Sequence, residues 1–401
     1  MRRTLKSIYL GLGKSFIIYP SAFLVAVGIS IVELGIIFYI KEIFGATPSQ
    51  VGYFTALWSF TYIIGCLFLR PLFNRVLPRY LLIASSFFMG FFILIVTFTT
   101  SFSLAFVQYD LYGLAMSFFW PPIMGWLSRD AEGAQLGKSM SYFNLSWGSG
   151  LIIGPVLAGV LSAISPRLPL YAGGLLFFTT GMLITAGSTL LPSIRSDRGI
   201  EASVEGSNNQ VDRSTLLRFP GWVGVFTTFV VIGMIVNIFP VYARDVLILR
   251  KEVIGLLMQS RTFIATFVFV FLAHTSFWHF RIVPMVLGQV CLACAVLLLS
   301  TASSPIALAV LISLIGAFRA LSYNTGIFHG VSGSINRAGR MAIHEALLAA
   351  GLVVGSSLGG VVYQRFSMTA VYILCASIVL VGVLLQLGLY LLLHTRESTF
   401  N

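Results

Sequence analysis

The sequence predicts an all-α polytopic membrane protein, with twelve transmembrane helices arranged as two pseudo-symmetric six-helix bundles. Three observations predict it. The first is composition: of 401 residues, 57% are hydrophobic and only 9% carry charge, where a soluble domain carries about 25%. The second is the recurrence of apolar blocks of roughly 20 residues, the length that crosses a hydrocarbon core of about 30 Å. The third is a polar interruption near the middle of the chain, flanked by two halves that repeat one another.

That interruption reads PSIRSDRGIEASVEGSNNQVDRSTLLRFP, from Pro192 to Pro220. Mixed charge, Gly, Ser and Asn bury too little surface to offset the entropy of ordering. A flexible linker is therefore expected over 192–219, with a six-helix bundle over 1–191 and another over 220–401.

Twelve apolar blocks follow in order: 16–40, 52–70, 80–100, 103–127, 140–164, 169–191, 220–242, 253–274, 282–301, 305–327, 341–363 and 369–393. The basic N-terminus precedes a run too long for a signal-peptide core, with no small-residue cleavage site, so the run is expected to be kept as the first span. Counting Lys and Arg sets the orientation. With the N-terminus inside, cytoplasmic segments hold 17 of the 25, the outside holds six, and Arg261 and Arg319 lie within spans. Both termini and the linker are thus expected in the cytoplasm. The net charge of +12 reflects this topology, and no nucleic-acid partner is expected. Short loops and no obvious external glycosylation sequon fit a bacterial inner membrane.

Enzyme chemistry has little to rest on. Gly13-Lys14-Ser15 has the ending of a phosphate-binding loop, but the motif's first glycine would fall at Ile8 and no strand precedes it. Cys291 and Cys294 form a CxxC with no His or acid nearby. The five His residues share no metal-ligand spacing, and the linker is too short for a nucleotide-binding domain. No cofactor or metal is expected.

The halves repeat at a nearly fixed offset. Gly150, Gly154 and Gly159 are matched in spacing by Gly351, Gly355 and Gly360, 201 residues on. Tyr39-Ile-Lys41-Glu42 followed by Val51-Gly52 is matched by Tyr242-Ala-Arg244-Asp245 followed by Ile254-Gly255, 203 residues on. Parallel repeats of this kind turn about the membrane normal and commonly enclose a site.

With these motifs in hand, the chain resembles the major facilitator superfamily of transporters over essentially its whole length. Gly150-x-x-x-Gly154-Pro155-x-x-x-Gly159 is similar to that family's antiporter motif, with Ala158 in place of one glycine. The loop Arg70-Pro-Leu72-Phe-Asn74-Arg75-Val-Leu77-Pro78-Arg79 resembles the family's inner-gate motif, keeping Leu72, Arg75 and Arg79 while Asn74 stands where an Asp is usual. In span 4 the family's Arg-x-x-x-Gly maps to Tyr109 and Gly113, with Asp110 beside the missing Arg. The resemblance implies a drug/proton antiporter-like fold whose spans 1, 4, 7 and 10 line a central cavity.

Ionisable residues inside spans default to functional roles, since each costs about 2.5–3.5 kcal/mol at a helix centre. Glu33, Asp110, Arg261 and Arg319 qualify, and the resemblance brings Asn237 towards the cavity with them. Glu33 and Asp110 sit at similar depth, and a carboxyl group withdrawn from water favours its protonated form. A structural alternative makes Glu33, Asp110, Arg261 or Arg319 a buried ion-pair partner. Gly150 and Gly154 share a helix face and admit a close neighbour, and Pro155 bends the helix. His344 and Glu345 lie near the cytoplasmic end of span 11. Glu345 falls 201 residues after Asn144, so the two are expected as equivalent gate positions.

The expected function is secondary active transport: proton-coupled export of a small amphipathic compound by a monomer in the lipid bilayer. Uptake or exchange of a small organic anion on Arg261 and Arg319 is the alternative. A non-transporting membrane sensor is the third reading.

Overall fold

The structure, a computed structural model, describes residues 2–69, 72, 75–128, 133–190, 215–334 and 337–400. The linker expectation falls almost wholly on 191–214, and Asn74 falls on the gate loop; both lie outside the described residues.

Among the described residues there are thirteen helices and no strand. In the first half they are α1 (Arg2–Phe44), α2 (Pro48–Phe68), α3 (Pro78–Val96), α4 (Phe102–Ser117), α5 (Trp120–Ser128), α6 (Gly133–Ile164) and α7 (Leu168–Leu190). In the second half they are α8 (Arg218–Asp245), α9 (Lys251–Ala273), α10 (Ile282–Leu299), α11 (Pro305–Val331), α12 (Arg337–Arg365) and α13 (Met368–Phe400). Eleven of these helices are long and apolar enough to cross a membrane.

The twelfth span is α4 followed by α5, and here the block expected over 103–127 is broken. Pro121 and Pro122 carry no N–H, so the carbonyls of Ser117 and Phe118 lose their usual partners and the helix cannot continue unbroken. The chain turns through tighter bonds instead, Phe118 N–H to Ala115 O at 3.1 Å and Phe119 N–H to Met116 O at 3.0 Å. At 16 residues, α4 spans about 24 Å, short of the hydrocarbon core by itself.

The chain divides into two compact units, Met1–Gly45 with Leu57–Val204, and Ala46–Ala56 with Glu205–Asn401. Within the first, α1 packs on α6 and α7, and α3 packs on α7 and α4. Within the second, α8 packs on α12 and α13, and α10 packs on α13 and α11. The pairings correspond helix by helix. The first turns of α2 belong to the second unit, where Ser49 N–H donates to Gln364 Oε1 at 3.0 Å.

Small residues set these helix pairings. A methyl group added at Gly150 would stand 2.7 Å from Phe23 O, and one at Gly351 would stand 2.7 Å from Phe226 O. Phe23 and Phe226 are themselves 203 residues apart. A methyl at Gly154 would collide with Ser30 Cβ, and one at Gly355 with Val230 O. The helix pairs α1–α6 and α8–α12 thus touch backbone to backbone through matched glycines. Ser146 Oγ adds a bond to Tyr19 O at 2.6 Å across the first pair.

The best-buried helices are α1 and α8, with 78% and 89% of their most apolar windows buried, against 33–44% for the other spans. They run through the middle of their bundles. The surrounding spans leave Phe88, Leu175, Ile306 and Leu384 exposed, where lipid tails as apolar as the side chains meet them.

Candidate functional site

In the first unit, α1, α2 and α4 build a cluster of acids and aromatic rings. Tyr109 and Tyr112 are three apart on α4, and Trp58 and Tyr62 four apart on α2, so each pair shares a helix face. The Trp58 ring lies 6.1 Å from Tyr109, 6.3 Å from Tyr112 and 6.4 Å from Tyr62. Tyr109 and Tyr112 stack at 5.5 Å, 22° from parallel. Gly113 permits the approach, since a methyl there would stand 2.7 Å from Trp58 O.

Both acids stand near one member of this stack, Tyr109. Tyr109 lies within electrostatic reach of both Glu33 and Asp110, and Tyr112 within reach of Glu33. Glu33 and Asp110 are half-buried. Asp110 Oδ1, the Tyr112 hydroxyl and Trp58 Nε1 are enclosed without a hydrogen-bond partner. Each buried, unsatisfied polar atom costs about 1–3 kcal/mol, so each of the three is a point where a proton, a water or a polar ligand group is stabilised. The Asp110 main chain is fixed by Thr61, whose hydroxyl donates to its carbonyl at 3.1 Å.

The second unit gathers a different set. Tyr323 is hydrogen-bonded to Glu345 and lies within electrostatic reach of Arg319, four residues earlier on α11. Its ring meets His344 edge-on at 5.0 Å. His344 is buried, and its Nδ1 lies 3.2 Å from Glu345 Oε1. The Arg319 guanidinium stands 6.0 Å from the centre of the Phe229 ring. Arg261 is 8% exposed, with its backbone against Gly316, where a methyl would collide with Arg261 O. Arg261 and Gly316 lie 203 residues beyond Trp58 and Gly113. The duplicated halves keep this helix contact and exchange an indole for a guanidinium.

The remaining residues singled out in the sequence fall elsewhere. Asn237 is engaged inside the second bundle, where Nδ2 donates to Ser356 Oγ at 2.7 Å and to Gly233 O at 3.0 Å. That joins α8 to α12. Arg75 is exposed, and the Arg79 guanidinium lies 5.0 Å from the centre of the Tyr80 ring. Pro155 and Gly159 are buried along α6 with Gly150 and Gly154. The aromatic stack was not singled out in the sequence. Its one signal was the placing of Tyr109 and Tyr112 around Asp110, hidden among 34 Phe and 15 Tyr.

Comparison with known proteins gives three findings. Residues 18–335 match the family model described as Major Facilitator Superfamily. The quinolone resistance protein NorA of Staphylococcus aureus is 23% identical over 161 residues, covering 40% of this chain and 41% of NorA's own length. Among solved structures, a POT family transporter in complex with a thioalcohol-conjugated peptide superposes with a TM-score of 0.74 at 11% identity, covering 93% of this chain and 95% of the other. The nucleoside transporter NupG gives 0.69 at 12%, covering 95% and 99%. A bacterial homologue of the human lysosomal transporter Spinster gives 0.71 at 11%, covering 96% of each. At such identities the solved structures speak for the fold alone.

Proposed function

We propose that this transporter, which belongs to the Major Facilitator Superfamily, exports a small amphipathic compound in exchange for protons. The observation that carries the reading is the placing of Glu33 and Asp110 near Tyr109, which stacks with Trp58 and Tyr112. Aromatic faces attract an organic cation, and a carboxylate beside them supplies the opposite charge. Once the acid takes up a proton, that attraction is lost, so proton and cation compete for one place. Alternate exposure of the cluster to the two sides of the membrane, by rocking of the two bundles, turns competition into exchange. The chain acts as a monomer in a bacterial inner membrane, with both termini in the cytoplasm as the Lys/Arg distribution indicates.

The other residues take supporting roles. Gly150, Gly154, Pro155 and Gly159 form the pivot along α6, and Asn74, Arg75, Arg79 and Glu345 serve the inner gate. The local match to NorA, named for quinolone resistance, favours export. Asn237 has a packing role in this reading.

A second reading rests on Arg261 and Arg319, which would favour a small organic anion. Transport of labelled compounds in reconstituted vesicles separates the two. The first reading expects a lipophilic cation to move against an imposed proton gradient, with Arg319→Gln changing the rate little. Movement of an organic anion that Arg319→Gln abolishes and Glu33→Gln spares would replace the first reading with the second.

A further inference from the structure

The second unit carries a groove that the transport reading does not use. Its volume is about 580 Å³, and its lining from α8, α12 and α13 is almost wholly apolar. Phe219, Trp222 and Phe226 contribute from α8, at i, i+3 and i+7 and hence on one face. Val381 and Leu385 contribute from α13 and Leu347 from α12. Val381 and Leu385 are 55% and 54% exposed, so the groove opens on the bundle's outer surface. It exists because Gly382 lets α13 approach α8: a methyl there would stand 2.7 Å from Thr227 Cγ2. Small side chains at that level leave a channel beside the row of rings.

Length and charge identify an occupant. Along α13 the lining runs from Ser377 to Leu389, a rise of about 18 Å, close to one leaflet of a hydrocarbon core of about 30 Å. Two cations stand at the end where α8 and α12 begin. The Arg218 guanidinium lies 4.6 Å from the centre of the Phe219 ring, and that of Arg340 lies 5.9 Å from the centre of Trp222. Both rings line the groove.

We infer that this groove binds an anionic phospholipid, with one acyl chain between α8 and α13 and the phosphate held by Arg218 and Arg340. An apolar channel takes the chain of any lipid. The guanidinium groups select the anion, because their planar forks match phosphate oxygens, and basic residues near a membrane surface favour anionic lipids by about fivefold each.

Native mass spectrometry of the full chain in detergent, with phosphatidylglycerol and phosphatidylcholine of matched acyl chains, tests the assignment. Wild type is expected to retain phosphatidylglycerol more than about tenfold better. Arg218→Gln and Arg340→Gln should each remove about fivefold of that preference, and Leu385→Trp, which fills the channel, should lower retention of both lipids. Equal retention of the two lipids by wild type overturns the assignment, and so does an undiminished preference in the Arg218→Gln/Arg340→Gln double variant. Displacement of phosphatidylglycerol by a lipophilic cation would also overturn it, since the groove would then belong to the transported compound. If Leu385→Trp fails to fold, the arginine variants decide alone.

Discussion

Asp110 and Tyr109 are neighbours in sequence, yet they carry different parts of the proposed exchange. The carboxylate takes the proton, and the tyrosine reports to both acids. Asp110→Asn removes the titrating group while keeping size and polarity. It should abolish pH-driven accumulation in reconstituted vesicles and leave downhill exchange partly intact. Tyr109→Phe removes only a hydroxyl, so substrate affinity should fall about fivefold, the equivalent of one hydrogen bond of about 1 kcal/mol, with pH dependence kept. Binding titrations on the purified protein measure that difference. At this scale the sequence was partly legible. Glu33 and Asp110 stood out because charge within an apolar block is expensive, and the structure places both around Tyr109. The bond of Asn237 to Ser356 was not legible, since it depends on a partner 119 residues away. The aromatic stack was illegible because hydropathy cannot separate a ring that lines a site from one that meets lipid.

Among the helices, the contact between α1 and α6 holds the proposed pivot. Gly154→Leu places a side chain where Ser30 already stands, and overpacking of this kind costs about 1–3 kcal/mol. The protein should still insert, with a lowered melting temperature, and transport should be lost. Normal transport by an inserted Gly154→Leu variant would leave the glycine motif without a mechanical role. Asn237→Ala is expected to behave differently, lowering stability by about 0.6 kcal/mol, the average for interhelical hydrogen bonds in membranes, and by no more than about 1.7 kcal/mol, with transport retained. Thermal unfolding in detergent alongside transport assays separates the two effects. Helices read well from sequence because a span needs only length and apolarity. The break between α4 and α5 was written in Pro121 and Pro122, but a count of apolar residues runs through a proline pair without registering the lost N–H groups.

For the whole molecule, duplication was the most legible feature. Glycine spacing survives because only glycine allows two backbones to touch, and the structure realises the same approach at Gly150 and Gly351. The offset of 203 residues also pairs Trp58 with Arg261 and Gly113 with Gly316, so equivalent helices meet at equivalent points in the two units. What duplication does not carry is the difference between the copies. The first unit gathers acids and rings, and the second gathers arginines, Tyr323, His344 and Glu345. That asymmetry underlies the claim that protons are exchanged at Glu33 and Asp110. The most direct test is the pH inside sealed proteoliposomes carrying a pH-sensitive dye, followed as a gradient of the transported cation is imposed. Wild type should move protons against the cation flow, and Glu33→Gln should move the cation without changing internal pH. An internal pH that is unmoved in wild type, while the cation crosses at the same rate, would contradict the account.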